Sequence, residues 1–570
     1  MPCAAQVAAP AVPPAPVFVP PPPPPPPAQL AGKPDERPVR FENCDGFPAP
    51  TRRTDGITAQ DGGWFGLRSQ DGSRGATTFS ASGIPVCTQV LQDPRLQPTH
   101  GLRRASLLQA RALHRLTAGE PHTALADLEL ADRMIGPDAY GRRSVGINNG
   151  LIRSYAQLRA DDRTAASATA AAVIAERPFE PGVTGTAARV RLAATGDWDA
   201  YLADLRQVAR VNPNVIPLQF LLNFMRGDMA QAVALYPHIV LTTPRERGGF
   251  QIEGLLASRV ETMVNQAHLH GAYAYALASI GQEERAAQEL AAARARLDRQ
   301  VAPPVPPPGR TRVSRTAQTE HNMFVAGAPA ARRSLDRSER LIRLRGLIRR
   351  GDLAAFHADI RSGGALGADG ASIELMRAAA QADAAEREGL QAAAAVGEQV
   401  VAQELAALRE INMGKLIDEL PEPETSERMP GFNSGSDSIL SLDSNGYREH
   451  RSELAGARTI RYASQRGSLA TAGELALLRA AQLARQGGHA GMIVLGRRSS
   501  RRSVQMYGMY SGGSISDAGQ ETELDVIFVD PARLPEGYAD AGWRVIDVNA
   551  VWNALHPIYA APAAPARRAR

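Results

Sequence analysis

The sequence predicts a mainly α-helical protein, an α-solenoid of stacked helix pairs followed by a small two-layer α/β domain. Three observations point there. Aromatic residues make up only 5 % of the 570 residues, while alanine, leucine and arginine dominate, which suits close packing between helices better than a strand-rich sandwich. Between about residues 99 and 299, short amphipathic stretches recur between Gly-Asp and Asp-Asp punctuators. Beyond about residue 440 the hydrophobic period shifts from helical spacing towards two.

The bulk numbers exclude several classes. A chain of 570 residues is expected to hold several structural units. Net charge is +5 and lysine occurs only at Lys33 and Lys415, so the positive charge is scattered arginine, which argues against a nucleic-acid binder. No apolar run approaches the roughly 18 to 20 residues that span a bilayer, so no transmembrane segment is expected.

Residues 1–40 read as a proline-rich disordered tether. Pro20 to Pro27 is unbroken proline, which holds an extended polyproline II form of about 3.1 Å per residue and acts as a spacer. Cys3, followed by small residues and this stalk, has the arrangement of a lipidated mature N-terminus. The start of the chain shows no charged segment followed by an apolar stretch, so a free thiol in a cytoplasmic protein is the other reading. Residues 41–98, rich in Gly, Asp, Ser and Thr, read as an irregular cap or loop region. Cys44 and Cys87 either form a disulfide stapling this segment to the first helices, in an oxidising compartment, or remain reduced.

Residues 99–300 read as helical repeats. Leu107, Leu108, Leu113 and Leu116 precede a break at Gly119-Glu120-Pro121, and Ala124, Leu125, Leu128 and Ala131 follow at three-and-four spacing. Two such helices cannot bury their apolar stripes alone and must stack on neighbours. The run from Ala124 to Ala131 after Gly119 resembles the second helix of a tetratricopeptide repeat, with small residues at 112, 124 and 131 where that family needs close helix approach. Punctuation returns at Asp161-Asp162, Gly196-Asp197, Gly227-Asp228 and Gly281-Gln282. The step from Pro178 to Pro213 is 35 residues, near the family's period of about 34. An insertion around Thr242 to Gly249 breaks the spacing.

Residues 301–334, opening with Pro303 to Pro308, read as a proline-rich linker. Residues 335–425 read as a further helical repeat-like region: Arg340 to Gly351-Asp352 restates the same grammar, and an alanine-rich stretch runs from about Ala371 to Leu420.

Residues 440–560 read as a C-terminal α/β domain. Strands are expected at Gly446–Glu449 and Arg458–Tyr462 across a turn at Gly456, a helix at Glu474–Arg485, and strands at Gly491–Leu495, Val504–Tyr510 and Leu524–Val529. The arginines from Arg497 to Arg502 are expected in a hairpin turn, with contact to an anionic lipid or glycan as the sharper alternative. The stretch resembles a domain of small proteobacterial envelope lipoproteins through Gly446-Tyr447, the helix run Leu477 to Ala484, Gly487-Gly488 and Val545-Ile546-Asp547-Val548, with Gln482 where that family carries an acid. The resemblance implies an envelope location without catalysis, and it favours lipidation of Cys3 and a Cys44–Cys87 bond.

No catalytic or phosphate-binding signature appears in the sequence. His268 and His270, two apart on a helix, point to opposite faces and suit no shared metal. The serine-rich stretch with Asp437 and Asp443 reads as linker. Arg104, Arg111 and Arg115 share a helix face, a stripe that either meets an acidic partner segment or is solvated. The expectation is a non-catalytic interaction scaffold of the bacterial envelope. It would be periplasmic or lipid-anchored, needing neither cofactor nor metal and binding a peptide or protein in a helical-repeat groove. An envelope enzyme sited in the α/β domain and a structural cell-wall-binding protein are the alternatives.

Overall fold

A computed structural model describes residues 40–50, 68–69, 79–136, 139–239, 252–306, 311–364, 366–424, 429–435, 446–506 and 514–560. Cys3 with the proline run, the segment 242–249, Asp437 and Asp443 lie outside the described residues. The chain is mainly helical, with a small antiparallel sheet towards its C-terminus.

The helices open with α1 (Glu42–Asp45) and α2 (Gly83–Leu91), followed by α3 (Gly101–Thr117) and α4 (Pro121–Ile135). A three-residue helical turn, α5 (Ala139–Gly141), runs through a π-helical segment, Arg142–Gly146, into α6 (Ile147–Arg159). Then come α7 (Arg163–Glu176), α8 (Pro181–Thr195), α9 (Trp198–Val211), α10 (Ile216–Met225), α11 (Met229–Leu235), α12 (Ile252–Ser279) and α13 (Glu283–Gln300). The next are α14 (Arg315–Arg350), α15 (Leu353–Ser362), α16 (Gly370–Ala382), α17 (Arg387–Arg409) and α18 (Met413–Glu419).

One local device joins these helices. Six times among the described residues, a helix ends on a residue with positive φ and the next residue caps the following helix: Gly119-Glu120, Asp161-Asp162, Gly196-Asp197, Gly227-Asp228, Gly281-Gln282 and Gly351-Asp352. In five of them the cap residue's N–H returns to the carbonyl five residues back, as from Asp228 to Asn223 at 2.9 Å and from Asp352 to Leu347 at 3.0 Å, satisfying a carbonyl that the helix end leaves bare. At Asp162, Asp228 and Asp352 the carboxylate then accepts the N–H three residues on, closing the second helix's start.

The paired helices pack on their neighbours through alanine and leucine. Along the first half α3 packs on α6 and α6 on α8; further on α12 lies against α14, and α14 against α16. Glycine permits close approach between α12 and α14, since a Cβ at Gly271 would lie 2.3 Å from Ser338 Oγ.

Two expectations for this half are corrected. The linker expected over 301–334 gives way to helix α14 from Arg315 onward. Ser314 caps it by accepting the Ala317 N–H, and Ala328, Ala331 and Leu335 are buried on the face towards α12 and α13. The polar residues there are the solvent face of a helix, which tolerates Pro329 in its interior. The cap region 41–98 also contains helix α2, whose Cys87 and Val90 are buried.

The sheet holds β2 (Gly446–Arg451), β3 (Arg458–Ser464), β4 (Gly491–Met506), β5 (Ser514–Val529) and β6 (Ile546–Asp547) in the order β2-β3-β5-β4-β6, all antiparallel. The two-residue β1 (Arg68–Ser69) pairs with β5. Helices α19 (Leu469–Gln486) and α20 (Val548–Tyr559) cover one face. The other face is closed by Leu534, Tyr538 and Ala541 over Ile493, Leu495 and Ile527.

The separate strands expected at 491–495 and 504–510 are one sixteen-residue strand, β4, and Arg497 to Arg502 lie within it rather than at a turn. Within that strand Arg498 meets opposite charge across the ladder at Glu523 of β5.

Candidate functional site

Residues Arg40–Arg570 form one unit, and the joint between helices and sheet lies at α19. This helix is buried nearly all round: the sheet takes one side, and Tyr140, Phe179 and Val211 of the helical part approach the same core. Glu474, on the inner stripe of α19, is 0 % exposed, as is Arg177. Its carboxylate accepts from Arg143 Nη2 at 2.6 Å, from Arg177 Nε and Nη2 at 3.1 and 3.0 Å, and from the Tyr559 hydroxyl at 2.6 Å. Arg177 also donates to the Arg143 carbonyl at 2.8 Å. One acid on the α/β side is thus gripped by two bases from the helical side and a phenol from the last helix.

Burial alone would push the Glu474 carboxyl upward, but the Arg177 and Arg143 guanidiniums outweigh it and hold it at about 2. The Tyr559 phenol is driven well up by burial and by the neighbouring carboxylate. The π-helical segment places the helical side of this joint, since its consecutive residues Arg143 and Ser144 both face the seam. Ser144 Oγ accepts the Glu424 N–H at 2.9 Å, and the Glu424 carboxylate accepts the Ser468 N–H at the start of α19 at 2.6 Å. Wider π turns of this kind often mark sites where a helix must aim adjacent side chains in one direction.

Beside the joint lies a cavity of about 370 Å³, within the size range of small-molecule sites. Its floor is one row of β4. Cross-strand pairing puts Val494 opposite Val526 and Arg497 opposite Leu524, with a register shift between Val494 and Gly496. Val526 and Leu524 belong to the core under α19, so the extra residue swings Arg497 onto that face, where plain alternation would turn it away. Ser499 and Arg501 follow at every second position. The walls are the starts of α8 and α19, the Asn212–Asn214 connection and the segment after α18.

The three arginines expected to meet a partner are engaged inside the fold. Arg104 donates to the Leu91 and Leu96 carbonyls, Arg111 pairs with Asp127 at 2.6 Å and Arg115 with the same carboxylate at 3.0 Å. Cys44 and Cys87 are joined in a disulfide, Cα to Cα 4.9 Å. Beside it Arg103 and Asp45 form a buried ion pair. His268 and His270 lie apart, His268 near Ser334 and His270 between the Tyr236 hydroxyl and Arg296. An arginine can only donate, so His270 accepts at Nε2 and carries its proton on Nδ1. Burial, then Arg296, lowers this imidazole to about 4. Among the described residues no cluster of three or more His, Cys, Asp or Glu is placed to hold a metal.

Sequence reasoning assigned no role to Arg143, Arg177, Glu424 and Glu474, and it took Arg497 as part of a turn. One signal was available: Glu474 stands four residues before Leu478 on the largely apolar, buried stripe of its helix, a place for an acid only if a base meets it. Compared with protein-family models, curated proteins and solved structures, the chain matches none.

Proposed function

We propose that this chain is a non-catalytic interaction scaffold of a bacterial cell envelope, a tetratricopeptide-like α-solenoid that holds a peptide or partner protein along its stacked helix pairs. The observation that carries the reading is the sixfold return of one helix-turn-helix joint, together with packing of first helix on first helix, α3 on α6 and α6 on α8. Pairs built this way bury their stripes only by stacking, and a stack offers an extended face for another chain.

The Cys44–Cys87 disulfide supports an oxidising compartment. Lipidation of Cys3, with the proline-rich segment as stalk, belongs to the same reading, and no helix among the described residues is long and apolar enough to cross a membrane. Arg104, Arg111 and Arg115 are engaged within the fold, so this reading seeks the partner contact elsewhere on the stack.

The test is photo-crosslinking in cells, with the probe placed along α6, α8 and α12 and, for comparison, along α7, α9 and α13, combined with fractionation and the mass of the mature N-terminus. One partner captured from a single row, on an envelope-bound protein, supports the proposal. A soluble cytoplasmic protein with reduced Cys44 and Cys87, or no capture from either row, contradicts it.

A further inference from the structure

The seam cavity contains a cation without a counter-ion. Arg497 is 8 % exposed, and its guanidinium lies against α19, where a Cβ on Gly473 would meet its Nη2 at 2.2 Å. Its Nε donates to Ser499 Oγ at 3.3 Å. Among the described residues its two terminal nitrogens make no hydrogen bond and no carboxylate forms a salt bridge with it; Glu180 and Glu474 act on it only through their longer-range charge. Its buried neighbours Arg143 and Arg177, by contrast, are both gripped by Glu474. Buried arginines are normally paired, because desolvating the charge costs more than one neutral hydrogen bond returns, and burial here lowers the tendency of Arg497 to hold its proton.

The acids nearby are committed. Glu180 caps α8 by accepting the Val183 N–H at 2.5 Å, Glu419 pairs with Arg189, and Glu422 takes Arg501 at 2.5 Å and Gln520 at 2.8 Å. Asp418 stands exposed. What remains is about 370 Å³ of space bordered by Arg497 and Ser499. We infer that this cavity binds a small oxyanion-bearing ligand, a carboxylate or phosphate group, whose oxygens take the terminal N–H groups of Arg497. The β4 register shift serves to aim this arginine, since without it Arg497 would face the opposite side of the sheet.

The experiment is thermal unfolding of the full chain titrated with inorganic phosphate and, separately, with succinate, against sodium chloride at matched ionic strength. The wild-type midpoint is expected to rise saturably with one of the two and not with chloride. The Arg497→Met variant, which replaces an unpaired buried charge by an apolar chain of similar length, is expected to fold at least as stably as wild type without ligand, and to bind roughly ten-fold or more weakly. No saturable rise with either probe overturns the proposal. So does an equal rise in Arg497→Met, which would place the anion elsewhere, and so does failure of that variant to fold, which would make the guanidinium a structural element.

Discussion

Glu474 shows how a single residue can carry a joint. Breaking a buried ion pair by removing one partner leaves the other charge uncompensated and typically costs about 3–5 kcal/mol. Glu474→Gln strands both Arg143 and Arg177 and is expected to lower stability in urea by that order. The pH dependence has a definite sign. A carboxyl held at about 2 against an ordinary 4.5 contributes stability that is complete above pH 4.5 and lost as pH falls towards 2. The histidines act earlier. Burial lowers His238 and His270, the latter to about 4 from 6.5, so the folded state resists protonating them. Their contribution is complete above pH 6.5 and fades towards pH 4. Urea midpoints measured from pH 7.5 to 3 should therefore fall first between 6.5 and 4, and His270→Gln should flatten that part of the curve. These residues were hard to read from sequence because burial of a charge depends on which distant segment covers it: Arg143 and Glu474 are 331 positions apart.

The joints between helices were the most legible elements, because the physics of a helix end is local. Glycine followed by an acid both relieves the left-handed residue and caps the next helix, and this pair of demands is visible without any tertiary knowledge. Gly196→Ala and Gly351→Ala force a Cβ into the left-handed region and are expected to cost about 1–2 kcal/mol each. Asp161 already bears a side chain at φ 62°, so Asp161→Gly should be neutral or stabilise by up to about 1 kcal/mol; thermal unfolding of the three variants reads the difference in sign. The elements that were misread are those whose polarity has a tertiary cause. In α14 the polar residues are one face of a helix whose other face is covered by α12. In β4 Arg498 is paired with Glu523 and Asp525 across the ladder, and Arg501 with Glu422. Composition alone assigns both to linker or turn.

At the scale of the whole molecule, the helical part and the sheet were legible as two fold types, but their union was not. The N-terminal end is fixed by the Cys44–Cys87 bond, which closes a separation of 43 residues; constraining the unfolded chain over that loop is worth about 4 kcal/mol, and reduction should lower the unfolding midpoint accordingly. The C-terminal end is fixed by the seam, where α19 is core to both parts and where the cavity lies. The α/β unit is built into the helical stack rather than strung after it. Hydrogen exchange of the full chain, wild type against Glu474→Gln, tests it most directly. The substitution is expected to speed exchange in α19 and α20 and equally in the π-helical segment and α6 to α8, which adjoin Arg143 and Arg177. Faster exchange confined to α19, α20 and the strands, with α6 to α8 unchanged, would contradict it.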